Sequence, residues 1–297
     1  MRKPPTTDGS PLVSVIVATY NRPDALPDCL RSILGQTYRN IEIIVVNDAG
    51  IDVKAIIDSL NEKGNIAYVE HPRNRGIAAA RNSGLAAANG EYIAYLDDDD
   101  LYYPDHLESL VSALENSGFK VAYTDACRRS LRSINGRDMV TRRDVPYSFD
   151  FDSDHLLVRN FIPTLCIMHE KSCLEDTGLF DETLPVLEDW DLWIRMSRLY
   201  PFRHVRKATC EFTWTTDGET LTSGRRAQFR ETLEVIYAKT ARLVGDKPRV
   251  RRARKRFLAG MRFLTLLSEI LGERSAPFQL LQNALTAAYN WGNRFRG

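Results

Sequence analysis

The chain has 297 residues, 43% of them hydrophobic and 27% charged, which is enough apolar material for one large or two modest cores and too much for a disordered chain. A formal net charge of +1 argues against a nucleic-acid binder, although the balance is uneven: residues 241–297 carry 12 Lys or Arg against 3 Asp or Glu, and residues 1–240 carry 28 against 36. The five cysteines, Cys29, Cys127, Cys166, Cys173 and Cys210, form no CxxC pair, and no signal-peptide pattern or bilayer-length apolar run is present, so the expected setting is reducing and cytoplasmic.

Residues 1–11 are polar and Pro-rich and read as a loose leader. LVSVIVAT (12–19) is a β-branched apolar run of the kind buried on both faces of a sheet. In TYNRPDALPDCLRSILGQ, Leu26, Leu30, Ile33 and Leu34 recur at helical spacing, with Gly35 as the stop. IEIIVVNDAG (41–50) is a second buried strand, VKAIIDSLNEKG (53–64) a second helix and IAYVE (66–70) a third strand. GIAAARNSGLAAANG (76–90) follows as a small-residue helix, and EYIAYLD (91–97) as a fourth strand. This βαβαβαβ order predicts an α/β fold with a mostly parallel central sheet flanked by helices. In such sheets ligands bind beyond the C-terminal strand ends, where three polar clusters fall: Thr19-Tyr20-Asn21, Asn47-Asp48, and Asp97 to Asp100.

Residues 104–118 read as a helix starting near Pro104, VAYTDACR (121–128) as a strand, and 129–153 as irregular, charged loop with short strands. In LPVLEDWDLWIRMSRLY (184–200), Leu192, Met196 and Leu199 mark an apolar helix face. From about 224 the chain reads as helical to its end, with Phe257, Leu258, Met261, Leu264, Leu267, Ile270 and Leu271 on one stripe and a last helix from Pro277. The expected organisation is a leader (1–11), a main domain (12–223) with halves at 12–128 and 129–223, and a basic helical extension (224–297).

Four consecutive carboxylates repel one another and resist burial. Either they form a solvated turn, with Asp100 capping the next helix, or they hold a hard cation that carries substrate phosphates, Mg²⁺ or Mn²⁺ by the oxygen-only ligand set. If the strand geometry persists, Asp97 and Asp99 share one face, with Asp99 on the metal and Asp97 reaching a ribose or a metal-bound water; Asp98 and Asp100 then shape the turn. Asp48 ends its strand where its carboxylate can accept an N–H from a base. Arg81 offers a bidentate fork either to phosphate or to a neighbouring carboxylate. Neither GxGxxG nor GxxxxGK[ST] follows the first strand.

LEDWDLW (187–193) places Glu188, Asp189 and Asp191 at a helix start, where they complement its dipole. If that helix start faces the cleft, Glu188 or Asp189 can take the proton from an acceptor hydroxyl as it attacks an anomeric carbon, opposite a cation that stabilises the leaving diphosphate.

The blocks VSVIVATYNR (13–22), SILGQTYRNIEIIVVNDAG (32–50), NRGIAAARNSGLAAANGEYIAYLDDDD (74–100) and GLFDETLPVLEDWDLWIRM (178–196) together resemble a family 2 glycosyltransferase of the GT-A fold. The resemblance covers roughly residues 12–200 and implies that 12–223 is a catalytic domain, with a nucleotide-binding half (12–128) and an acceptor-side half (129–223). It implies an inverting transfer of a sugar from a nucleotide-diphosphate donor, a UDP-sugar first among them, to a hydroxyl of a glycan or lipid-linked acceptor in surface-polysaccharide synthesis such as O-antigen or capsule. Carried over by position, it sets Thr19, Tyr20, Asn21, Asp48, Arg81, Asp97 and Asp98 at the donor. The metal motif falls on Asp97 and Asp99, with Asp99 the expected ligand of Mn²⁺ or Mg²⁺. The catalytic base falls on Asp189, with Glu188 holding the helix or acceptor in position, and NFIPT (160–164) resembles the segment before the acceptor-side loop.

His155 and His169 read first as structural. In some enzymes of the GT-A fold a histidine on the C-terminal side completes the metal site, but no motif match assigns His204 to it. Trp214, followed by a polar loop, is a candidate sugar plate. KPRVRRARKRFLAGMRF (247–263) joins a basic run to an apolar stripe. It suits peripheral contact at the inner face of the plasma membrane, docking on the acidic catalytic domain, or a homodimer; without aromatic interleaving or a fold motif it does not suit nucleic acid. Two other functions stand beside the transferase: a catalytically inactive nucleotide-sugar-binding partner subunit, and a nucleotidyltransferase, for which the Gly-rich loop is missing.

Overall fold

The computed structural model describes residues 9–115, 117–134, 137–215 and 226–271. Most of the leader, the boundary expected at 223/224, the polar loop beyond Thr215 and the helix expected from Pro277 lie outside the described residues.

The first half alternates as its apolar periodicity demands: β1 (Val13–Thr19), α1 (Leu26–Leu34), β2 (Ile41–Asn47), α2 (Lys54–Leu60), β3 (Ile66–Glu70), α3 (Ile77–Ala87) and β4 (Tyr92–Asp97). All seven residues of β1 are buried, and five of six in β4, because both sheet faces are covered. There follow β5 (Leu101–Tyr102), α4 (His106–Glu115), β6 (Val121–Ile134), β7 (Arg137–Asp144), α5 (Ser153–Leu156), a 3-10 turn (Thr164–Cys166), β8 (Ile167–Glu170), α6 (Cys173–Thr177), α7 (Glu188–Met196) and β9 (Phe202–Thr215). Three helices close the described chain: α8 (Arg226–Lys239), α9 (Ala241–Val244) and α10 (Pro248–Leu271).

The strands form one nine-stranded sheet in the order β3-β2-β1-β4-β8-β6-β9-β5, with β7 paired to β6. The parallel part is the first four strands; β8 runs antiparallel to both β4 and β6, and β5 antiparallel to β9. The stretch expected to be irregular after residue 128 instead extends β6 and adds β7, since alternating Arg, Ser and Thr suits strands with a solvated face. Leu199, expected on the apolar face of its helix, is exposed because α7 stops at Met196, and Ile270 is exposed at the far end of α10.

Register brings the polar clusters together. Thr19 pairs with Asn47, Asn47 with Glu70, and Ala18 with Asp97, so the ends of four parallel strands share one edge. Above this edge α3 lies against β1 and β2. Gly84 permits that close approach, because a Cβ there would stand 2.5 Å from Cγ2 of the buried Ile16.

The chain divides into two compact units, residues 1–130 with 140–214, and residues 131–139 with those from 215 onward. Within the second, Arg254 donates to Thr240 Oγ1 (2.6 Å) and to the Tyr237 carbonyl (3.1 Å), and Leu233, Ile236, Val250 and Leu264 are buried.

Gly84→Val sets the helix-propensity gain of a lost glycine, at most about 1 kcal/mol, against overpacking of about 1–3 kcal/mol on a branched, immobile neighbour. Net destabilisation is expected in urea unfolding; an unchanged or raised midpoint would show that α3 does not depend on this contact.

Candidate active site

The turns at the strand ends are built with backbone strain. Among the described residues only three non-glycine residues have positive φ: Asn21 (57°) after β1, Ala49 (59°) after β2, and Leu187 (61°) immediately before α7. The Asn21 carboxamide accepts from Ile51 N (3.0 Å) and Asn47 Oδ1 from Gly50 N (2.8 Å), tying the first two turns together. Gly50 has no room for a side chain: a Cβ would lie 2.6 Å from Asn21 N. Tyr20 stands exposed beside this knot, whereas Thr19 is buried.

Asp48 is buried and already accepts three hydrogen bonds. Its Oδ1 takes His71 Nδ1 (2.6 Å) and Arg75 N (2.9 Å), and its Oδ2 takes Gly76 N (2.7 Å). His71 Nε2 in turn meets Ser83 Oγ (2.8 Å) on α3. The carboxylate therefore fastens the loop before α3 to the end of β2, and one acceptor direction on Oδ2 is left over. Beside it lies an open cavity of ≈ 440 Å³ lined by Ala49, Gly50, Glu70, His71 and Pro72.

After β4 the four carboxylates make a tight turn, with Asp100 N donating to the Asp97 carbonyl (3.0 Å). Asp98 and Asp100 are buried, while the Asp97 and Asp99 side chains keep 39% and 35% of their surface. Asp100 does not cap α4; it accepts from Thr213 N on β9 (3.1 Å), and Thr213 Oγ1 donates to the Asp99 carbonyl (3.1 Å). Burial pushes the Asp98 carboxyl up to about 6, against the pull of the Thr19 hydroxyl and Arg22. Asp100 is driven well above the ordinary range by burial and by Asp99 and Asp97. Arg22 answers part of this charge, its Nη1 lying 2.6 Å from Asp99 Oδ2 and 3.0 Å from Asp98 Oδ1.

Arg81 is buried on α3 and joins the two acidic segments. Its Nη2 donates to Asp97 Oδ1 (2.8 Å), its Nη1 to Glu188 Oε1, and its guanidinium sits 5.6 Å from the Phe180 ring centroid. Burial works against its charge, but Asp97, Glu188 and Asp189 more than offset this, so its pKa is raised and it stays protonated. Both terminal nitrogens are engaged by carboxylates, the second of the two partners its sequence position allowed.

Asp189 follows at the first turn of α7. Its Oδ2 accepts from Asn160 Nδ2 (3.0 Å) and Thr164 Oγ1 (2.8 Å), and its Oδ1 from Trp190 N (2.7 Å). Burial raises its pKa, opposed by Arg81 and by the Thr164 hydroxyl. Glu188 is likewise raised by burial and pulled back by its contact with Arg81. Asn160 and Thr164 emerge as the residues that orient Asp189; only the NFIPT resemblance hinted at them. Asp191 serves α7 itself, pairing with Arg195 (2.9 Å).

Among the described residues no three His, Cys, Asp or Glu side chains converge as a ready-made metal cage. The donor set nevertheless fits Mg²⁺ or Mn²⁺, which take one or two carboxylates and complete their shell with water and substrate phosphates. Asp97 and Asp99 present hard, partly open oxygens in a cluster whose carboxylates outnumber the two arginines paired with them. The histidines have partners elsewhere: His169 with Tyr95 (2.8 Å), His204 with Asp125 (2.8 Å) and Asp150 (3.0 Å), and His155 stacked on Phe161.

The mixed α/β sheet, with helices packed against it and acidic segments at the strand ends, has the architecture of the GT-A fold. The profile of Glycosyl transferase family 2 matches residues 14–175. The uncharacterised glycosyltransferase YwdF of Bacillus subtilis (strain 168) is 31% identical over 231 residues, covering 76% of this chain and 83% of YwdF. An uncharacterised glycosyltransferase of Rickettsia felis is 31% identical over 198 residues, 64% of this chain, but this chain spans only 32% of that longer protein. The chain belongs to glycosyltransferase family 2. Its fold is shared by S. aureus TarS 1–349 in complex with UDP-GlcNAc (TM-score 0.65, 20% identity, 83% of this chain and 71% of that one). The mannosyltransferase PcManGT from Pyrobaculum calidifontis, in complex with GDP-Man and Mn²⁺, shares it too (TM-score 0.60, 19% identity, 96% and 87%).

Arg81→Met leaves Glu188 buried without its counter-charge and is expected to destabilise the protein by about 3–5 kcal/mol in urea unfolding. Adding Glu188→Gln to that variant should recover a large part of the loss. Independent, additive losses would show that the pair is not the unit proposed.

Proposed function

We propose that this chain is an inverting, metal-dependent glycosyltransferase that moves a sugar from a nucleotide-diphosphate donor, a UDP-sugar in the first instance, to a hydroxyl of a glycan or lipid-linked acceptor in surface-polysaccharide synthesis. The observation that carries this reading is Asp189, steadied by Asn160, Thr164 and Trp190 N and linked through Glu188 and Arg81 to Asp97. General-base work is favoured by such a carboxylate, fixed in direction and partly desolvated.

In this reading the nucleobase enters the cavity beside Asp48, bounded by Glu70 and His71, with the exposed Tyr20 as a further contact for it. Asp97 and Asp99 would hold Mn²⁺ or Mg²⁺ with the donor phosphates; the ion would stabilise negative charge growing on the departing diphosphate. Asp189 accepts the proton of the acceptor hydroxyl as the new C–O bond forms at the anomeric carbon. The bond from that carbon to the phosphate oxygen breaks on the opposite face, so the configuration inverts. Arg81 opposes the burial that raises Glu188 beside Asp189, and holds its carboxyl in place next to the proposed base. The donors in the TarS and PcManGT structures, UDP-GlcNAc and GDP-Man, support nucleotide-sugar use while leaving the nucleotide to experiment.

The binding site is tested by calorimetry of UDP, dTDP, GDP and CDP with and without Mn²⁺. One nucleotide should bind in a cation-dependent manner, and Asp99→Ala should remove that dependence. Asp189→Asn should retain nucleotide binding and lose transfer by about 10²-fold or more. Donor binding with no turnover on any glycan or lipid-linked acceptor would favour the inactive-subunit alternative.

We also place the enzyme at the cytoplasmic face of a membrane. Among the described residues no helix is long and apolar enough to cross one. However, the exposed face of α10 carries Arg249, Arg251, Arg252, Lys255 and Arg256, then Phe263, Leu266 and Ile270, a pairing suited to anionic headgroups and acyl chains. Co-sedimentation with vesicles containing phosphatidylglycerol should exceed that with phosphatidylcholine alone and fall in an Arg251→Glu, Arg252→Glu, Lys255→Glu variant; equal recovery on both vesicles would refute the placement.

A further inference from the structure

Arg22 is absent from the expected donor and metal residues, yet it makes the tightest contact with the carboxylate expected to bind the cation. A single nitrogen, Nη1, stands 2.6 Å from Asp99 Oδ2 and 3.0 Å from Asp98 Oδ1. One positively charged atom lying between carboxylate oxygens of two residues occupies the kind of position a bound cation takes. A divalent ion on Asp99 needs an oxygen lone pair at about 2.0–2.2 Å and the space in front of it. Where that ion engages Asp99 Oδ2, the guanidinium cannot keep its place.

The backbone under Arg22 is fixed and its side chain is not. Asn21, just before it, is held in the left-handed region and fastened to Ile51, with Gly50 pressed against its amide. Arg22's carbonyl accepts from Leu26 N at the start of α1. Beyond this base the side chain is 40% exposed, whereas Asp98 is buried and Asp99 part-exposed. Arg22 can therefore leave Asp99 by side-chain rotation alone, while Asp98 stays in the turn.

We propose that Arg22 is a built-in counter-cation for the metal site: it neutralises Asp98 and Asp99 before donor and cation arrive, exchanges with the cation on Asp99, and then turns its fork onto the donor diphosphate. This rests on the reading of Asp99 as a metal ligand. The exchange moves no covalent bond. It replaces the two contacts of the guanidinium, with Asp98 and Asp99, by two others, cation with Asp99 and guanidinium with phosphate. The physical advantage is that the carboxylate run is not left unneutralised in the resting protein, and that a cation alone meets a competitor which a cation with diphosphate does not. Arg suits the second role because its planar fork matches phosphate oxygens.

The test measures Mn²⁺ binding by electron paramagnetic resonance of free Mn²⁺, first without nucleotide and then with UDP at saturating Mn²⁺. It uses wild type, Arg22→Gln, Arg22→Lys and Asp99→Ala, with thermal melts to confirm that each variant is folded. In Arg22→Gln, Mn²⁺ alone should bind about 5- to 10-fold tighter than to wild type, the scale of removing a part-exposed ion pair together with the repulsion of a like charge. UDP should bind the same variant about 10-fold more weakly. Arg22→Lys should fall between the two on both measures. If Mn²⁺ binding depends on Asp99 but Arg22→Gln leaves it unchanged or weaker, the exchange is overturned and the metal site stands. If neither wild type nor Arg22→Gln shows Asp99-dependent Mn²⁺ binding, both the exchange and the metal site are overturned.

Discussion

A guanidinium with almost no contact with water joins Asp97 at the end of β4 to Glu188 at the start of α7. Burying one charge is costly, and burying Arg81 with Glu188 is tolerable only if they meet in good geometry, with part-exposed Asp97 as a second partner. Arg81 meets this condition because α3 is made of small residues that let it lie close on β1, and because Phe180 covers the guanidinium face. The pair spans 107 residues of sequence, so the start of α7 is placed by the same side chain that fixes the end of β4. Tyr95 of β4, packed against Phe180 and against Trp193 of α7, holds the same elements together from the apolar side.

The rest of the site is held in a similar way, by groups that do no chemistry. Asp189 is aimed by Asn160 and Thr164, Asp48 is committed to the loop before α3, and β9 fastens the aspartate turn through Thr213. Side chains set at strand ends or at the first turn of a helix and supported by neighbouring hydrogen bonds lose little geometry to thermal motion. The three left-handed residues Asn21, Ala49 and Leu187 mark where the chain bends away from regular structure to make this edge.

Much of this was legible in the order of residues. Apolar β-branched runs announced the four parallel strands, and their alternation with helices placed Thr19, Asp48 and Asp97 on a common edge before any coordinate was known. The antiparallel half was harder to see, because β6 and β7 are polar enough on one face to pass for loop. Contacts between distant residues left no local signal at all: Arg22 with Asp99, Asn160 and Thr164 with Asp189, His71 with Asp48. The left-handed turns were invisible for a different reason, since none of the three carries the glycine that usually marks such a backbone. Leu199 and Ile270 followed the helical period but fall where it no longer governs burial, one past the end of α7 and one near the end of α10.

Asp48 shows how such a site can change its preferences over time. With both oxygens already holding His71, Arg75 N and Gly76 N, its replacement would disturb a loop and the start of a helix as well as any ligand. The cavity wall carries no such double duty at Pro72, whereas Ala49 is constrained by its left-handed backbone. On the proposed reading, descendants of this chain that acquire a new nucleotide should therefore differ at the wall and agree at the carboxylate. Directed evolution of donor choice would do best to randomise the former and leave the latter untouched.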